Sequence, residues 1–266
     1  MSRLSHTLYE IQTIDEMARL DRWINRIHPL VKLCLTLFYM ILVVSFEPGN
    51  LIGLLGMFVY PFLLFGLGDI SIKDALFKLR IILPLVCIIG LFNPFFDRKP
   101  VAVFAGIFIT RGMISFCTLL LKGVFTILSS YLLIATTTIE DLCYALRLLH
   151  LPKLFVTQIL LIHRYLVVLL SEANRITQAY LLRAPKQTGI HYKVWGTLIG
   201  QLLLRSMDRA TELYQSMCLR GYVGEFYYGN KKHLTRWDFL YFLIGGVIIS
   251  LFRIFPVFEI VGRLFI

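Results

Sequence analysis

Long uninterrupted runs of apolar residues constrain the fold of this chain more than any other feature. Five runs each approach or exceed the ~17 residues that an α-helix needs to cross a bilayer. They are Leu30–Phe46, Leu51–Leu67, Ile81–Phe96, Met113–Ala135 and Phe239–Phe255. The composition agrees, because hydrophobic residues make up 58% of the 266 residues and charged residues only 16%, against about 25% charged residues in soluble domains. The runs therefore predict an all-α integral membrane protein.

The number of spans depends on a sixth, shorter run. Val101–Phe108 is too short to cross a membrane alone. It is expected to form a hairpin or to extend a neighbouring helix. We therefore predict five transmembrane helices, with six as the alternative.

Positive charges around the first run orient the chain. Four basic residues flank its start: Arg19, Arg22, Arg26 and Lys32. Cytoplasmic segments of membrane proteins are enriched in Lys and Arg, and the polar stretch Met1–Asp21 lacks the apolar region of a signal peptide. We expect a multi-pass protein of the plasma (inner) membrane with its N-terminus in the cytoplasm, and a cytoplasmic loop at Lys73–Arg80.

The polar interval 136–237 carries much of the positive charge of the chain. It holds 13 Lys and Arg residues against 6 Asp and Glu residues. No nucleic-acid-binding motif accompanies this charge, so contact with anionic lipid explains it better than contact with nucleic acid. We expect three parts: residues 1–135 with a cytoplasmic segment and four spans, the cytoplasmic interval 136–237, and residues 238–266 with the last span.

Two long amphipathic helices are predicted in this interval, and they end alike. One runs from about Pro152 to Arg183 and the other from about Val194 to Arg220, after a shorter helix at about Ile139–Leu149. Pro185 and Gly221 follow the two arginines and stop the helices. An arginine in the last turn can bind a partner's carboxylates and carbonyls bidentately. Alternatively, it only complements the helix dipole, a contribution of ~0.3–1 kcal/mol.

Charges within the second long helix are spaced for pairing along that helix. Arg205 precedes Asp208 by three residues and Arg209 precedes Glu212 by three, a spacing that brings side chains together on one helix face. We expect both ion pairs to form within the helix.

The remaining chemistry-bearing residues predict no catalytic, metal or cofactor site. The chain has no G-x-x-x-x-G-K-[ST] motif for nucleotide and no G-x-S-x-G elbow, and its six histidines and five cysteines are scattered. The predicted spans contain almost no ionisable side chains; Lys32 and Lys122 lie near their ends and are expected to snorkel. A self-contained channel or carrier normally needs intramembrane charges or broken helices. That function and an integral-membrane enzyme are therefore the less favoured alternatives.

The chain resembles the transmembrane (T) component of energy-coupling-factor transporters, which are vitamin and metal importers of the ABC superfamily, in the cobalt-type branch called CbiQ. The resemblance covers nearly the whole chain. It rests on the two arginine-tipped helix ends and on short motifs at Ile27–Leu33, Val43–Phe46, Tyr60–Pro61, Asn93–Phe95 and His163–Tyr165.

The resemblance implies that the two long helices are coupling helices whose Ala-Arg-Gly-like ends dock into grooves on a pair of ATPases. The first signature falls on Leu182, Arg183 and Ala184, and the second on Leu219, Arg220 and Gly221. Each departs from Ala-Arg-Gly but keeps the arginine, and His28-Pro29-Leu30 stands where Asp-Pro-Arg is frequent.

The resemblance also implies a role and a set of partners. The chain would be a non-catalytic subunit, without a cofactor, working with two P-loop ATPase subunits and a separate substrate-binding membrane subunit. It would serve the uptake of cobalt or nickel; the alternative is a T component that serves vitamin-binding subunits.

Overall fold

In the computed structural model the described residues are 13, 15–20, 22–68, 70–96, 100–104, 107–184, 189–224 and 234–254. They fall into two compact units. We call the unit formed by Ala18–Thr137 and Lys232–Ile266 the core unit, and the unit formed by Thr138–Lys231 with Met1–Met17 the arm unit.

The described elements are mainly α-helices. In the core unit they are α1 (Trp23–Arg26), α2 (Pro29–Val44), α3 (Leu51–Gly56), α4 (Val59–Gly68), α5 (Ile72–Gly90), α6 (Asn93–Phe96), β1 (Pro100–Phe104), β2 (Ile107–Thr110), α7 (Arg111–Thr136) and α11 (Arg236–Ile254). In the arm unit they are α8 (Ile139–Leu148), α9 (Lys153–Arg183), a 3-10 turn (Tyr192–Val194) and α10 (Trp195–Leu219).

Helix α7 is the centre of the core unit. Helices α2, α3, α4, α5 and α6 all pack against it, and α11 packs against α2, α3 and α4. The most buried side chains of this core come from α2, α3 and α7 and include Leu35, Tyr39, Leu54 and Leu132. The all-α membrane fold is thereby confirmed, with one small addition. Strands β1 and β2 pair antiparallel, so the short run Val101–Phe108 forms a hairpin, as one of the two expected arrangements has it.

Two of the predicted spans differ from the observed helices. The run Leu51–Leu67 is divided at Met57 and Phe58 into α3 and α4. The run Ile81–Phe96 belongs to α5, which begins nine residues earlier and ends at Gly90 before the short α6. The stretch Lys73–Arg80 is therefore not a loop, because it is the first half of α5; its cytoplasmic location stays a prediction. Apolar length alone does not reveal a break within a run or a charged helical extension of it.

Three described helices are long and apolar enough to cross a membrane: Arg111–Thr136, Lys153–Arg183 and Arg236–Ile254. Two shorter apolar segments lie at Pro29–Val44, which is α2, and at Gly53–Gly68, which comprises most of α3 and the whole of α4. The helix Lys153–Arg183 is α9, which the sequence predicts to be an amphipathic helix in the cytoplasm. Its length and mean hydropathy also fit a span.

The helices of the arm unit begin and end close to their predicted bounds. Helix α8 starts after Thr138, whose hydroxyl accepts a hydrogen bond from the Asp141 backbone N–H at 3.1 Å, the usual N-cap arrangement. Helix α9 follows Pro152, and it packs against both α8 and α10. The arm unit is thus built from two long helices in mutual contact, with α8 beside the first.

Candidate functional site

The first candidate site is the C-terminal end of α9. Arg183 is the last residue of the helix and is exposed. The Ala184 N–H still donates to the carbonyls of Tyr180, at 3.1 Å, and Leu181, at 3.3 Å, which closes the final turn. The helix therefore ends where the sequence predicts; Pro185, the expected stop signal, lies outside the described residues.

The second candidate site is the end of α10, which is closed by a Schellman motif. Gly221 has φ = 79°, a backbone conformation that favours glycine. The Tyr222 N–H donates to the Met217 carbonyl and the Gly221 N–H to the Cys218 carbonyl, both at 3.0 Å, which is the pair of bonds that defines the motif. Arg220 is the C-cap rather than a residue of the last helical turn, so its predicted position was wrong by one residue.

Each arginine is preceded by a leucine whose side chain is exposed. Leu182 is 83% exposed and Leu219 is 90% exposed, and Arg183 and Arg220 are exposed beside them. A cation that only complements a helix dipole needs no apolar neighbour. Burying a leucine side chain contributes ~1.5–3 kcal/mol, so a Leu-Arg pair at a helix tip is suited to a partner surface that has an apolar pocket beside carboxylates or carbonyls.

The two helices are joined by an ion pair well before their tips. The guanidinium of Arg205 on α10 contacts the carboxylate of Glu172 on α9. The three-residue spacing predicts an ion pair between Arg205 and Asp208 on the same helix, whereas among the described residues Arg205 pairs with Glu172. Helix–helix packing decides this choice, and a single-helix spacing rule does not include it.

Beyond this contact, both helices run to their tips without a helix-breaking residue. Arg183 lies eleven residues beyond Glu172, or about 16 Å at the rise of an α-helix, and Arg220 lies fifteen residues beyond Arg205, or about 22 Å. Neither stretch contains Gly or Pro. Each tip therefore stands at the end of a helical segment without Gly or Pro, and an ion pair joins the two segments at their other end.

A polar cleft of about 240 Å³ lies beside the ion pair. Its lining comes from both helices and includes Glu172, Arg205, Asp208, Arg209 and Glu212. Among the described residues no group of three or more His, Cys, Asp and Glu side chains is arranged to hold a metal ion. The carboxylates of this cleft alternate with arginines, which suits an ion-pair network between helices.

Two cysteines of the arm unit occupy contrasting environments. Cys143 on α8 is fully buried, and burial, followed by the neighbouring Glu140 carboxylate, raises the pKa of its thiol to about 11. Cys218 is exposed in the last turn of α10, where a hydrogen bond with it raises the pKa of the Tyr214 phenol. Cys218 thus lies at the arginine tip, and Cys143 is part of the packing of α8.

Two buried polar anchors in the core unit are not evident from the sequence. Asp238, in the first turn of α11, accepts hydrogen bonds from the backbone N–H groups of Thr235 and His28, each at 2.8 Å. Lys32, expected to snorkel, is only 4% exposed, and its Nζ donates to the Thr136 carbonyl at 2.8 Å. The His28–Asp238 and Lys32–Thr136 contacts each join residues more than a hundred positions apart, so no local pattern predicts them.

Comparison with known proteins identifies the family. The sequence matches the CbiQ family, described as cobalt transport protein, over residues 21–234. It is 32% identical over 120 residues to the nickel permease LarQ of Lactiplantibacillus plantarum, an alignment that covers 45% of this chain and 44% of that protein. It is 31% identical over 97 residues to a putative fused cobalt transport protein CbiMQ of Methanocorpusculum labreanum, which covers 36% of this chain and 16% of that protein.

The alignments with these curated relatives span less than half of their lengths, whereas the family match spans most of this chain. That match includes the core-unit helices from α1 to α7, the whole of α8 to α10, and both arginine tips. An all-α membrane fold, apolar helices and the family match agree, and the chain belongs to the CbiQ family of cobalt transport proteins, a family of transporter components rather than of enzymes.

Proposed function

We propose that this chain is the transmembrane coupling subunit of an energy-coupling-factor importer. In this proposal two cytoplasmic P-loop ATPase subunits bind the arm unit at Arg183 and Arg220. ATP-driven motion of the ATPases passes along α9 and α10 to the membrane-embedded part and acts on a separate substrate-binding membrane subunit. The N-terminus and the arm unit lie in the cytoplasm.

The observation that carries the proposal is the pair of matching helix tips. Two long helices of one unit each end in an exposed Leu-Arg pair, and each ending is closed cleanly, by the Ala184 N–H in α9 and by the Schellman motif in α10. A guanidinium fork at such a tip can bind carboxylates and carbonyls in two directions at once. A helix without Gly or Pro beyond its anchor transmits displacement of the tip instead of bending.

The apolar surface of α10 supports the same role. None of the residues of α10 is buried, although its exposed side chains include Ile199, Leu203, Leu204 and Met207. An exposed apolar surface on a helix is typical of a surface that a partner or lipid covers. A subunit that works between ATPases, lipid and a second membrane protein needs such surfaces.

We propose cobalt or nickel ion as the cargo of the whole transporter. Support comes from the cobalt transport family match and from relatives named as nickel and cobalt transport proteins. The ion is bound in this proposal by the separate membrane subunit, and the present chain contributes force rather than ligands. A T component that serves vitamin-binding subunits has the same mechanics with a different partner.

Reconstitution in lipid vesicles tests the proposal. The full chain alone should neither hydrolyse ATP nor conduct Co²⁺ or Ni²⁺. Co-expression with two P-loop ATPase subunits and a substrate-binding membrane subunit should yield one complex whose ATP hydrolysis drives ion uptake. Ion flux through the chain alone would contradict the proposal and favour a self-contained channel or carrier.

A further inference from the structure

A buried lysine at the start of α2 is placed where it is locally unfavourable. Lys32 lies in the first turn of α2 and is almost fully buried. The N-terminal end of a helix carries positive partial charge, so a cation there is opposed by its own helix. Moving an ammonium out of water costs several kcal/mol in addition. A specific partner must offset both penalties.

Among the described residues, the C-terminal end of α7 is a partner that can do so. The Lys32 Nζ donates to the carbonyl of Thr136, the last residue of α7, at 2.8 Å and to the Asn25 carbonyl at 3.4 Å. Carbonyl groups at a helix C-terminus carry negative partial charge and have no partner within the helix. The ammonium thus meets the charge that compensates it.

The described residues show how this end of α7 is closed. The next residue, Thr137, is extended (φ −136°, ψ 123°), so the helix does not end in a left-handed glycine cap. The Thr136 hydroxyl donates to the carbonyls of Leu132, at 2.8 Å, and Leu133, at 3.4 Å. The Thr136 carbonyl itself is held by Lys32, from 104 positions away in the sequence.

This helix end is also where the chain leaves the core unit. Thr137 is the last residue of the core unit in this part of the chain, and Thr138, the N-cap of α8, is the first residue of the arm unit. Any pull that the arm unit exerts along this connection falls first on the last turn of α7. A helix end frays unless its terminal groups are held.

We propose that Lys32 is a positioning residue that holds the last turn of α7, so that motion of the arm unit moves the core unit instead of unwinding that turn. The functional part of this inference rests on the proposed coupling function. The local part, that Lys32 keeps the last turn of α7 closed, stands independently of it.

The same helix pair contains a matched control at its other end. Lys122 on α7 donates to the carbonyl of Val44, the last residue of α2, at 2.9 Å and also to the Phe46 carbonyl. It therefore does for α2 what Lys32 does for α7. The chain after α2 stays within the core unit, and the Ser45 carbonyl there also accepts a hydrogen bond from Arg253 at 3.1 Å. Lys122 should matter for local order but not for coupling.

Hydrogen exchange of the full chain in lipid nanodiscs tests the local part. Lys32→Met keeps the length and removes the charge, and it should raise exchange of the amides at 133–137 about ten- to hundredfold, because a hydrogen bond to a charged group is lost. The amides at 43–46 should keep their rates. Lys122→Met should give the reverse pattern. If Lys32→Met does not fold, Lys32→Gln, which keeps an N–H donor, should give a smaller increase at the same amides.

Uptake per ATP in the assembled transporter tests the functional part. The Lys32→Met complex should keep its ATPase subunits and hydrolyse ATP, but should move several-fold less ion per ATP than either the parent or the Lys122→Met complex. Unchanged exchange at 133–137 would overturn the whole inference. An unchanged ratio of ions taken up to ATP hydrolysed would overturn its functional part. Both outcomes would leave the proposed function intact. Loss of the ATPase subunits from the Lys32→Met complex would also overturn the functional part, because Lys32 would then act in assembly.

Discussion

The two units of this chain differ in how many of their apolar side chains they bury by their own packing. In the core unit, helices from distant parts of the sequence surround α7 and bury side chains such as Leu35 and Tyr39 completely. In the arm unit, α10 has no buried residue and α9 buries only Val156 and Thr157. The core unit is stabilised by its own packing, whereas the long helices of the arm unit present surface. We therefore expect the core unit to hold its shape through its own packing, and the two long helices of the arm unit to be covered by other molecules.

The largest expected difference between the units concerns truncation of leucines. Leu35→Ala should lower the free energy of unfolding by ~2–5 kcal/mol, because it leaves a cavity in a packed core. Leu203→Ala, at a side chain that is 60% exposed, should change it by less than ~0.5 kcal/mol. Thermal unfolding of the purified chains in detergent measures both. Equal losses would show that α10 is packed as tightly as the core.

Adding a methyl group should have opposite signs in the two units. A Cβ on Gly245 of α11 would lie 2.6 Å from Cδ2 of the buried Leu35, and overpacking of this kind costs ~1–3 kcal/mol. A Cβ on Gly200 of α10 meets no atom within 4 Å, so Gly200→Ala should stabilise the helix by up to ~1 kcal/mol. The same unfolding experiment compares them. Destabilisation by Gly200→Ala would mean that this face of α10 is already covered.

How far the sequence predicts the structure also differs between the units. The bounds of α8, α9 and α10 follow from local signals, such as Thr138 before the first of them and Gly221 after the last. In the core unit the division between α3 and α4 lies at Met57, four residues before Pro61, which has no N–H to donate to the Met57 carbonyl. The hydroxyl of Tyr39 on α2 donates to that carbonyl instead, at 2.9 Å, a contact from another helix that local patterns do not contain. The partners of Lys32 and Arg205 are likewise long-range. The two arginine tips are evident from the sequence, because a helix ending that occurs twice is a local pattern.

Thiol labelling should separate the interior of the arm unit from its tips. Cys143 is buried and its pKa is raised to about 11, so its thiol stays protonated and unreactive from about pH 7 to pH 9. Cys218 is exposed and should react with a maleimide at least about tenfold faster. Peptide mapping by mass spectrometry measures both labelling rates. The Cys143→Ser and Cys218→Ser variants identify which labelled peptide belongs to which cysteine.

The same labelling sharpens the comparison when partners are present. Cys218 lies two residues before Arg220, so ATPase subunits bound at that tip should slow its labelling. Labelling of Cys143 should stay as slow as before. Fast labelling of Cys143 in the free chain would contradict the packing of α8.

The central claim is that Arg183 and Arg220 are the ATPase anchors, and charge reversal measures it most directly. Arg183→Glu and Arg220→Glu should each weaken retention of the ATPase subunits by ~2–5 kcal/mol, since the partner's charges are left unpaired and repelled. Because both tips are exposed, both variants should still fold and insert. Arg209→Gln, at an exposed arginine of α10 outside the Arg205–Glu172 ion pair, is the matched control and should keep the ATPases, because an exposed charge contributes at most ~1 kcal/mol. Co-purification and ion uptake are measured together. We predict that the two tip variants lose both the ATPase subunits and ion uptake, and that the control keeps them. Tip variants that keep both at the level of the parent would contradict the role of Arg183 and Arg220 as anchors.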